Sequence, residues 1–256
     1  MYLTIKGLVL RVTDYNDRDS LLTLLTADYG KITVKARGLR RKNSPLTASC
    51  QLLALGEFTL FEYKGAYSIN EAHSVALFQG LRKDLQKLSL GTYFAQVAEL
   101  LSQEDMPNPE LLSLTLNCLY ALSDMDLPET QIKAAFELRC ACLAGYMPDL
   151  SGCSRCGQEN PDRFDISSGS LECQNCRNQY SDGLRLPVSP GMLDAMRYIA
   201  SCNGKALFRF QAAPQSLEQL SHLTEAYLTT QLERGFSTLD FYKSLLIDNT
   251  LGDNYV

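Results

Sequence analysis

The segment "SLLTLLTADYGKITVKARG", residues 20–38, contains two strand-like runs separated by a turn. Asp28 and Gly30 stand between the apolar runs, and residues of these types between two strands predict a hairpin. Further runs rich in β-branched and aromatic residues flank this hairpin, at residues 3–12, 57–63 and 67–77. Five short antiparallel strands of this size predict an OB-fold barrel in residues 1–80.

The remainder of the chain changes to a helical pattern. From residue 81 onward the apolar residues recur with a period near that of an α-helix. Pro109, Pro128 and Pro190 each begin a helical segment, at a position where the missing N–H of proline costs nothing. The predicted fold class is therefore α+β and multidomain, with the five-stranded OB-fold barrel followed by an all-α domain in residues 81–256.

Two Cys-x-x-Cys pairs interrupt the helical pattern, Cys153 with Cys156 and Cys173 with Cys176. Their spacing is typical of a four-cysteine zinc site. Four thiolates complete the coordination shell and leave no open position for water, so such a site is structural and not hydrolytic. We therefore predict one structural Zn²⁺ ion in an insertion spanning residues 151–182. The alternative is a set of reduced thiols without metal.

A basic segment extends from the hairpin into the following loop. In residues 31–37 the cations alternate with apolar residues, so the cations should project from one face of the strand. Gly38, Asn43 and Pro45 predict a loop that could follow a phosphate backbone. The alternative is a solvated face that keeps an edge strand soluble. The basic segment consists of six cations: Lys31, Lys35, Arg37, Arg40, Arg41 and Lys42.

The net charge of −5 is distributed unevenly along the chain. Residues 1–45 contain nine Lys or Arg and four Asp, a local charge of +5, which leaves −10 for the remainder. A polyanion would therefore prefer the N-terminal part of the molecule. No run of 18 apolar residues occurs, so we expect a cytoplasmic protein that does not enter the membrane.

Aromatic residues near the basic segment are candidates for base stacking, which OB-folds combine with a cationic groove. Alternation along residues 57–63 places Phe58 on one face, and Phe61 and Tyr63 on the other. Only one of these two groups can face outward, and the pattern does not show which. The remaining candidates are Tyr15, Tyr29 and Tyr67.

The chain contains none of the common catalytic motifs. It has no GxxxxGK[ST] loop, no GxGxxG after a strand and no HExxH, and its two histidines, His73 and His222, have no evident nucleophile partner. We therefore expect no enzymatic activity.

Three stretches resemble the bacterial RecO family in order and spacing: "GKITVKARGLRRKNS" at 30–44, "FELRCACLAGYMPDLSGCSRCG" at 136–157 and "CQNC" at 173–176. The resemblance covers nearly the whole chain. It implies a recombination mediator of the RecF pathway in the bacterial cytoplasm, associated with the nucleoid. Such a protein binds single- and double-stranded DNA, anneals complementary strands, joins RecR and helps RecA load onto DNA coated by single-strand DNA-binding protein.

The resemblance also implies roles for particular residues. The basic segment would contact DNA, and the four paired cysteines would bind zinc. Arg139 would meet the acidic tail of single-strand DNA-binding protein on the helical domain. A rival interpretation is a zinc-stabilised scaffold that binds only proteins through its acidic helical body.

Overall fold

Near the N-terminus, strands close into a barrel. They are β1 (Tyr2–Asp14), β2 (Ser20–Thr26), β3 (Lys31–Ala36), β4 (Leu55–Tyr63) and β5 (Ala66–Ala76). Their order around the barrel is β1-β2-β3-β5-β4, and β4 pairs with β1 to close it. This arrangement confirms the predicted five-stranded OB-fold. The computed structural model describes residues 1–159, 161–176, 183–202 and 204–252.

The prediction of antiparallel pairing throughout the barrel is wrong for β3 and β5, which pair in parallel. The reason lies in the other pairs. Strand β1 is antiparallel to both β2 and β4, while β3 is antiparallel to β2 and β5 to β4. Strands β3 and β5 therefore run in the same direction where they meet.

The barrel core follows the alternation that the sequence predicts. In β3 the side chains of Ile32, Val34 and Ala36 are buried, whereas Thr33 between them is exposed. The turn before β3 needs Gly30, whose φ is +61°. A Cβ atom there would also lie only 2.2 Å from the Met106 carbonyl oxygen, so both the conformation and the space require glycine.

Six α-helices are present among the described residues: α1 (Leu85–Leu101), α2 (Pro109–Asp124), α3 (Glu129–Leu143), α4 (Pro190–Ser201), α5 (Pro214–Gln231) and α6 (Ser237–Gly252). The side chains of Asp84, Asn108 and Ser189 cap α1, α2 and α4 by accepting hydrogen bonds from backbone N–H groups of the first turn. No helix in the described ranges has the length and apolar composition needed to cross a bilayer.

The chain divides into two packing units. The first contains residues 1–126 and the segment from Phe236, and the second contains Leu127–Gly235. In the first unit, Tyr93 of α1 packs edge-on against Phe236 with ring centroids 5.5 Å apart. The barrel is therefore grouped with α1, α2 and α6. The predicted domain boundary at residue 80 stays a prediction.

A small sheet follows α3 in the second unit and carries the cysteine pairs. Its strands are β6 (Asp149–Cys153), β7 (Arg163–Asp165), β8 (Ser170–Glu172) and β9 (Arg185–Pro187), in the order β6-β8-β7-β9. We call residues 149–187 the cysteine module. Residue 160 and residues 177–182 of the predicted insertion lie outside the described residues.

The cysteine module has an apolar anchor in addition to its thiols. Phe164 and Leu171 are fully buried, and the Phe164 ring meets Tyr227 of α5 at 5.2 Å in an edge-on contact. Gln231 of α5 donates a hydrogen bond to the Ile166 carbonyl oxygen at 2.9 Å. The segment between the two pairs thus contributes more core residues than its polar sequence suggests, and metal binding need not supply all of its folding energy.

A buried ion cluster joins α3 to α5. The Lys133 ammonium lies 2.9 Å from Glu137 on its own helix and 2.9 Å from Glu225 on α5. Thr224 donates a further hydrogen bond to Glu137 at 2.8 Å. Burial raises the pKa of the Glu137 carboxyl, and the neighbouring Lys133 opposes that rise. Because one ammonium contacts a carboxylate on each helix, the lysine helps to hold the two helices in register.

Replacing Lys133 by alanine is expected to reduce the free energy of unfolding of the second unit by about 3–5 kcal/mol, because two short ion contacts would be lost and the Glu137 carboxylate is fully buried. Urea denaturation followed by circular dichroism measures the change. The exposed Lys83 offers a control, and Lys83→Ala should change the stability by less than about 0.5 kcal/mol. A loss below about 1 kcal/mol for Lys133→Ala would contradict the proposed role.

Candidate functional site

The connection between β1 and β2, residues 15–19, packs against the basic segment. Asp19 is the centre of this contact: its carboxylate accepts the backbone N–H of Gly38 at 2.9 Å and binds the Lys35 ammonium at 3.1 Å. Hydrogen bonds from Gly38, then Lys35 and Asn16, lower the pKa of the Asp19 carboxyl to about 2. Asp19 therefore stays ionised and fixes the position at which the basic segment leaves β3.

Three cations of the basic segment are bound within the protein. The surface pair of Arg40 with Asp14 is exposed on both sides, so phosphate can compete for the guanidinium. The Lys35 ammonium also lies 4.5 Å from the ring centroid of Tyr15. The acceptors are the Glu99 carbonyl oxygen for Lys31 (3.0 Å), Asp19 for Lys35 (3.1 Å) and Asp14 for Arg40 (3.2 Å).

The other three cations, Arg37, Arg41 and Lys42, are exposed and form no ion pair with any described residue. Arg18 joins them, because its carbonyl oxygen accepts the backbone N–H of Arg40 at 3.1 Å and its side chain is exposed. The sequence analysis missed Arg18, which stands between two aspartates in the chain. Only the packing of residues 15–19 against the basic segment brings it there.

The structure settles which aromatic side chains of the barrel face outward. Phe58 is fully buried in the core, whereas Phe61 and Tyr63 of the same strand are exposed. Tyr15 is exposed as well, while Tyr29 and Tyr67 pack partly against the barrel core. A group of exposed rings therefore lies on the outer surface of the barrel.

The four paired cysteines come together in the cysteine module. Their sulfur atoms all lie within 4.8 Å of one another, and Cys156 and Cys173 are separated by 3.7 Å. Tetrahedral coordination at a metal–sulfur distance of about 2.3 Å places sulfurs about 3.8 Å apart. The cluster therefore fits a metal ion, as the spacing of Cys153, Cys156, Cys173 and Cys176 predicts.

Backbone N–H groups favour the thiolate form at one side of the cluster. Hydrogen bonding from the Arg155 backbone lowers the pKa of the Cys153 thiol to about 6. In contrast, hydrogen bonds shared with Cys156 and Cys173 raise the pKa of Cys176 to about 12. Together the four sulfurs provide a soft donor set that a divalent cation can complete by displacing the remaining protons.

Arg197 of α4 holds the first cysteine pair from outside. Its guanidinium donates hydrogen bonds to the carbonyl oxygens of Leu150 (2.8 Å), Ser151 (3.3 Å) and Glu159 (3.1 Å). These acceptors flank the pair on both sides, so Arg197 fixes the position of the Cys153–Cys156 segment relative to α4. The sequence analysis missed this residue because its acceptors are about 38–47 positions away along the chain.

Arg139, predicted to meet a partner's carboxylate, lies half-buried on α3. It donates a hydrogen bond to the Ala200 carbonyl oxygen at the end of α4, at 2.7 Å. Ala200 also lines a shallow depression of ≈ 450 Å³, together with Met147, Leu150 and other residues of the second unit. Arg139 is therefore linked to this depression through Ala200, although it is not one of the lining residues.

Comparison with known sequences finds a family match for each of two parts of the chain. Residues 1–78 match the family model described as Recombination protein O N terminal, and residues 82–240 match Recombination protein O C terminal. The DNA repair protein RecO of Acetivibrio thermocellus is 32% identical over 246 residues, which cover 95% of this chain and 97% of the relative. That of Alkaliphilus metalliredigens is 29% identical over 248 residues, covering 96% and 100%.

Proposed function

Because the chain belongs to the RecO family and thus has a role in DNA repair and recombination, we propose that it acts as a recombination mediator that binds DNA through the basic segment of its barrel. It binds phosphates largely without reading bases, and it accepts both single and double strands. In this role the protein catalyses no reaction of its own.

The observation that carries this proposal is the group of exposed cations beside the β1–β2 connection. Arg37, Arg41 and Lys42 have no acidic partner among the described residues, so binding phosphate breaks no existing ion pair. Arg18 and Arg40 extend the same surface. This concentration of positive charge in an acidic protein favours a polyanionic partner at one place on the molecule.

Annealing follows from binding of this kind. A surface that holds phosphates leaves the base edges free, so two strands gathered on it can pair with each other. Cations on the surface also reduce the repulsion between two phosphate backbones as they approach. The basic segment would therefore raise the local concentration of strands and lower the electrostatic cost of bringing them together.

The ion of the cysteine module is proposed to be a structural zinc. Four thiolates suit Zn²⁺, and a shell closed by four protein ligands leaves no place for substrate. When bound, the ion would cross-link the β6 end of the module to the residues after β8. Cys153, Cys156, Cys173 and Cys176 would hold it, while Arg197 and the Phe164 contact keep the module on the helices of its own unit.

We further propose that the protein works with RecR and with single-strand DNA-binding protein so that RecA can load onto the strand, in the cytoplasm and near the nucleoid. The acidic tail of single-strand DNA-binding protein would dock at the depression lined by Met147, Leu150 and Ala200. Its apolar residues would cover those side chains, and Arg139 would attract its carboxylates.

Titration of the purified chain with a fluorescent single-stranded oligonucleotide, followed by addition of its complement, tests the proposal. We expect saturable binding that weakens steeply as salt is raised, and faster formation of duplex than in the absence of protein. Binding to RecR or to the tail peptide without any binding to DNA would contradict the proposal and favour a scaffold that contacts only proteins.

A further inference from the structure

A continuous row of side chains crosses the outer surface of the barrel. Strand pairing aligns Lys35 of β3 with Ser68 of β5, Ser68 with Phe61 of β4, and Phe61 with Tyr2 of β1. Residues that are directly opposite in a sheet point to the same face. Since Lys35 lies on the outer face of β3, the side chains of Phe61 and Tyr2 also point outward.

The rings in this row are unusually exposed. Tyr2 is 63% exposed and Phe61 is 38% exposed, and their centroids lie 5.4 Å apart at an interplanar angle of 54°. Tyr63, two residues along β4, is 62% exposed. We call Tyr2 and Phe61 the aromatic pair. Large apolar side chains that gather on the surface in this way commonly mark a binding site.

Cations lie at both sides of the aromatic pair. Lys35 is two strands away from Phe61, a distance of about 10 Å across the sheet. Lys64 follows β4 directly, and its ammonium lies 5.4 Å from the Tyr63 ring centroid. The N-terminal ammonium of Met1 binds the Glu62 carbonyl oxygen at 3.3 Å in the same region.

This combination suits single-stranded nucleic acid better than a purely apolar partner. Unpaired bases present flat π-faces that stack on exposed rings, while flanking cations bind the phosphates that connect those bases. Duplex DNA has no free base faces, since its bases are stacked on one another. A surface of this kind therefore distinguishes single from double strands without reading their sequence.

We propose that Tyr2 and Phe61 form a base-stacking site for single-stranded DNA, continuous with the basic segment through Lys35 and Ser68. This inference rests on the proposed DNA-binding function and extends it to a second contact. Phosphates bind the basic segment, and bases of the same strand then lie against the aromatic pair. The rings thereby hold a single strand on the protein with its bases unstacked from each other, ready to meet a complement.

The test compares the unmodified protein with two double variants. Tyr2→Leu with Phe61→Leu keeps apolar side chains at both positions but removes the rings, while Tyr2→Phe with Phe61→Tyr keeps both rings. Fluorescence anisotropy with labelled oligothymidine and with a duplex of equal length gives the affinities across a salt series. Tyr120→Leu, which removes a ring on α2 whose exposure of 54% lies between those of Tyr2 and Phe61, is the matched control.

We expect the leucine double variant to bind oligothymidine about tenfold more weakly or worse, because base–aromatic contacts are lost. Its affinity for duplex and its salt dependence should be unchanged, since no phosphate contact is removed. The ring-retaining double variant and Tyr120→Leu should behave as the wild type.

Two results would overturn the inference while leaving the proposed function intact. One is wild-type affinity of the leucine double variant for oligothymidine. The other is equal weakening by the ring-retaining double variant, because the rings would then not be what the strand contacts. If the unmodified protein bound neither oligonucleotide, the proposed function itself would fail.

Discussion

Replacing Arg37, Arg41 and Lys42 together by alanine is expected to weaken binding of single-stranded DNA by roughly ten- to a hundredfold at physiological salt. These three side chains are exposed and have no ion pair among the described residues, so each is available to a phosphate. Each lost phosphate contact should reduce the slope of log affinity against log salt by about 0.7, and the three together by about 2. Fluorescence anisotropy across a salt series measures both quantities.

A charge-matched control separates local contacts from the general charge of the molecule. Lys83, Arg209 and Arg234 are exposed cations outside the basic segment, and their replacement by alanine removes the same net charge. We expect this triple variant to keep nearly wild-type affinity and slope. Equal losses in both triple variants would show that total charge, and not the basic segment, governs binding.

Conservative changes test how the phosphates are bound. Arg37→Lys with Arg41→Lys keeps the charge and should retain most of the affinity if the contacts are mainly electrostatic. A loss as large as that of the alanine variant would instead indicate geometry that only a guanidinium provides. The basic segment would then still be the binding site, but it would bind phosphate through directed guanidinium hydrogen bonds and not through charge alone.

Loss of the metal is expected to destabilise the second unit strongly while leaving DNA binding intact. In Cys153→Ser the metal should be absent, and the free energy of unfolding of residues 127–235 should fall by several kcal/mol. The loss should stay below the ~10–16 kcal/mol of zinc-finger peptides. The reason is that Phe164 and Leu171 remain packed, with Phe164 against Tyr227.

Metal analysis, urea denaturation and DNA titration of the same preparation test this division of roles. The wild type should contain one zinc per chain, and Cys153→Ser none. Cys202→Ser, at a half-buried cysteine outside the quartet, should keep both the metal and the stability. If Cys153→Ser lost DNA affinity to the same extent as stability, the metal would have to support the DNA-binding surface as well.

Much of the barrel could be predicted because its signals are local. Alternation in β3 identified Ile32, Val34 and Ala36 as core residues, and their burial confirms it. Gly30 marked the hairpin, whose left-handed φ requires glycine. Each of these signals depends on a few neighbouring residues, and backbone geometry fixes the conformations that they allow.

The candidate site could be predicted only in part. The spacing of Cys153, Cys156, Cys173 and Cys176 indicated the cluster that the structure forms, since two Cys-x-x-Cys pairs leave little freedom in how the four sulfurs can be arranged. In contrast, the run of cations from Lys31 to Lys42 gave no indication of which charges were already paired. Likewise, nothing in the sequence around Arg139 indicated its hydrogen bond to the Ala200 carbonyl oxygen.

By itself, the sequence determined the barrel strands, the helical character of the segments that flank the cysteine module, the hairpin, the cysteine cluster and the sign of the charge near the N-terminus, but not the four-stranded sheet of the cysteine module. The tertiary structure decided that β3 and β5 run in parallel, that Phe61 and Tyr2 face outward in one row with Lys35, and that Arg37, Arg41 and Lys42 have no ion-pair partner within the described part of the chain. The physical reason is the range of the interactions. Hydrophobic periodicity and the Cys-x-x-Cys spacing involve only a few neighbouring residues. Strand pairing and ion pairing join residues far apart in the chain, so those contacts exist only once the chain has folded.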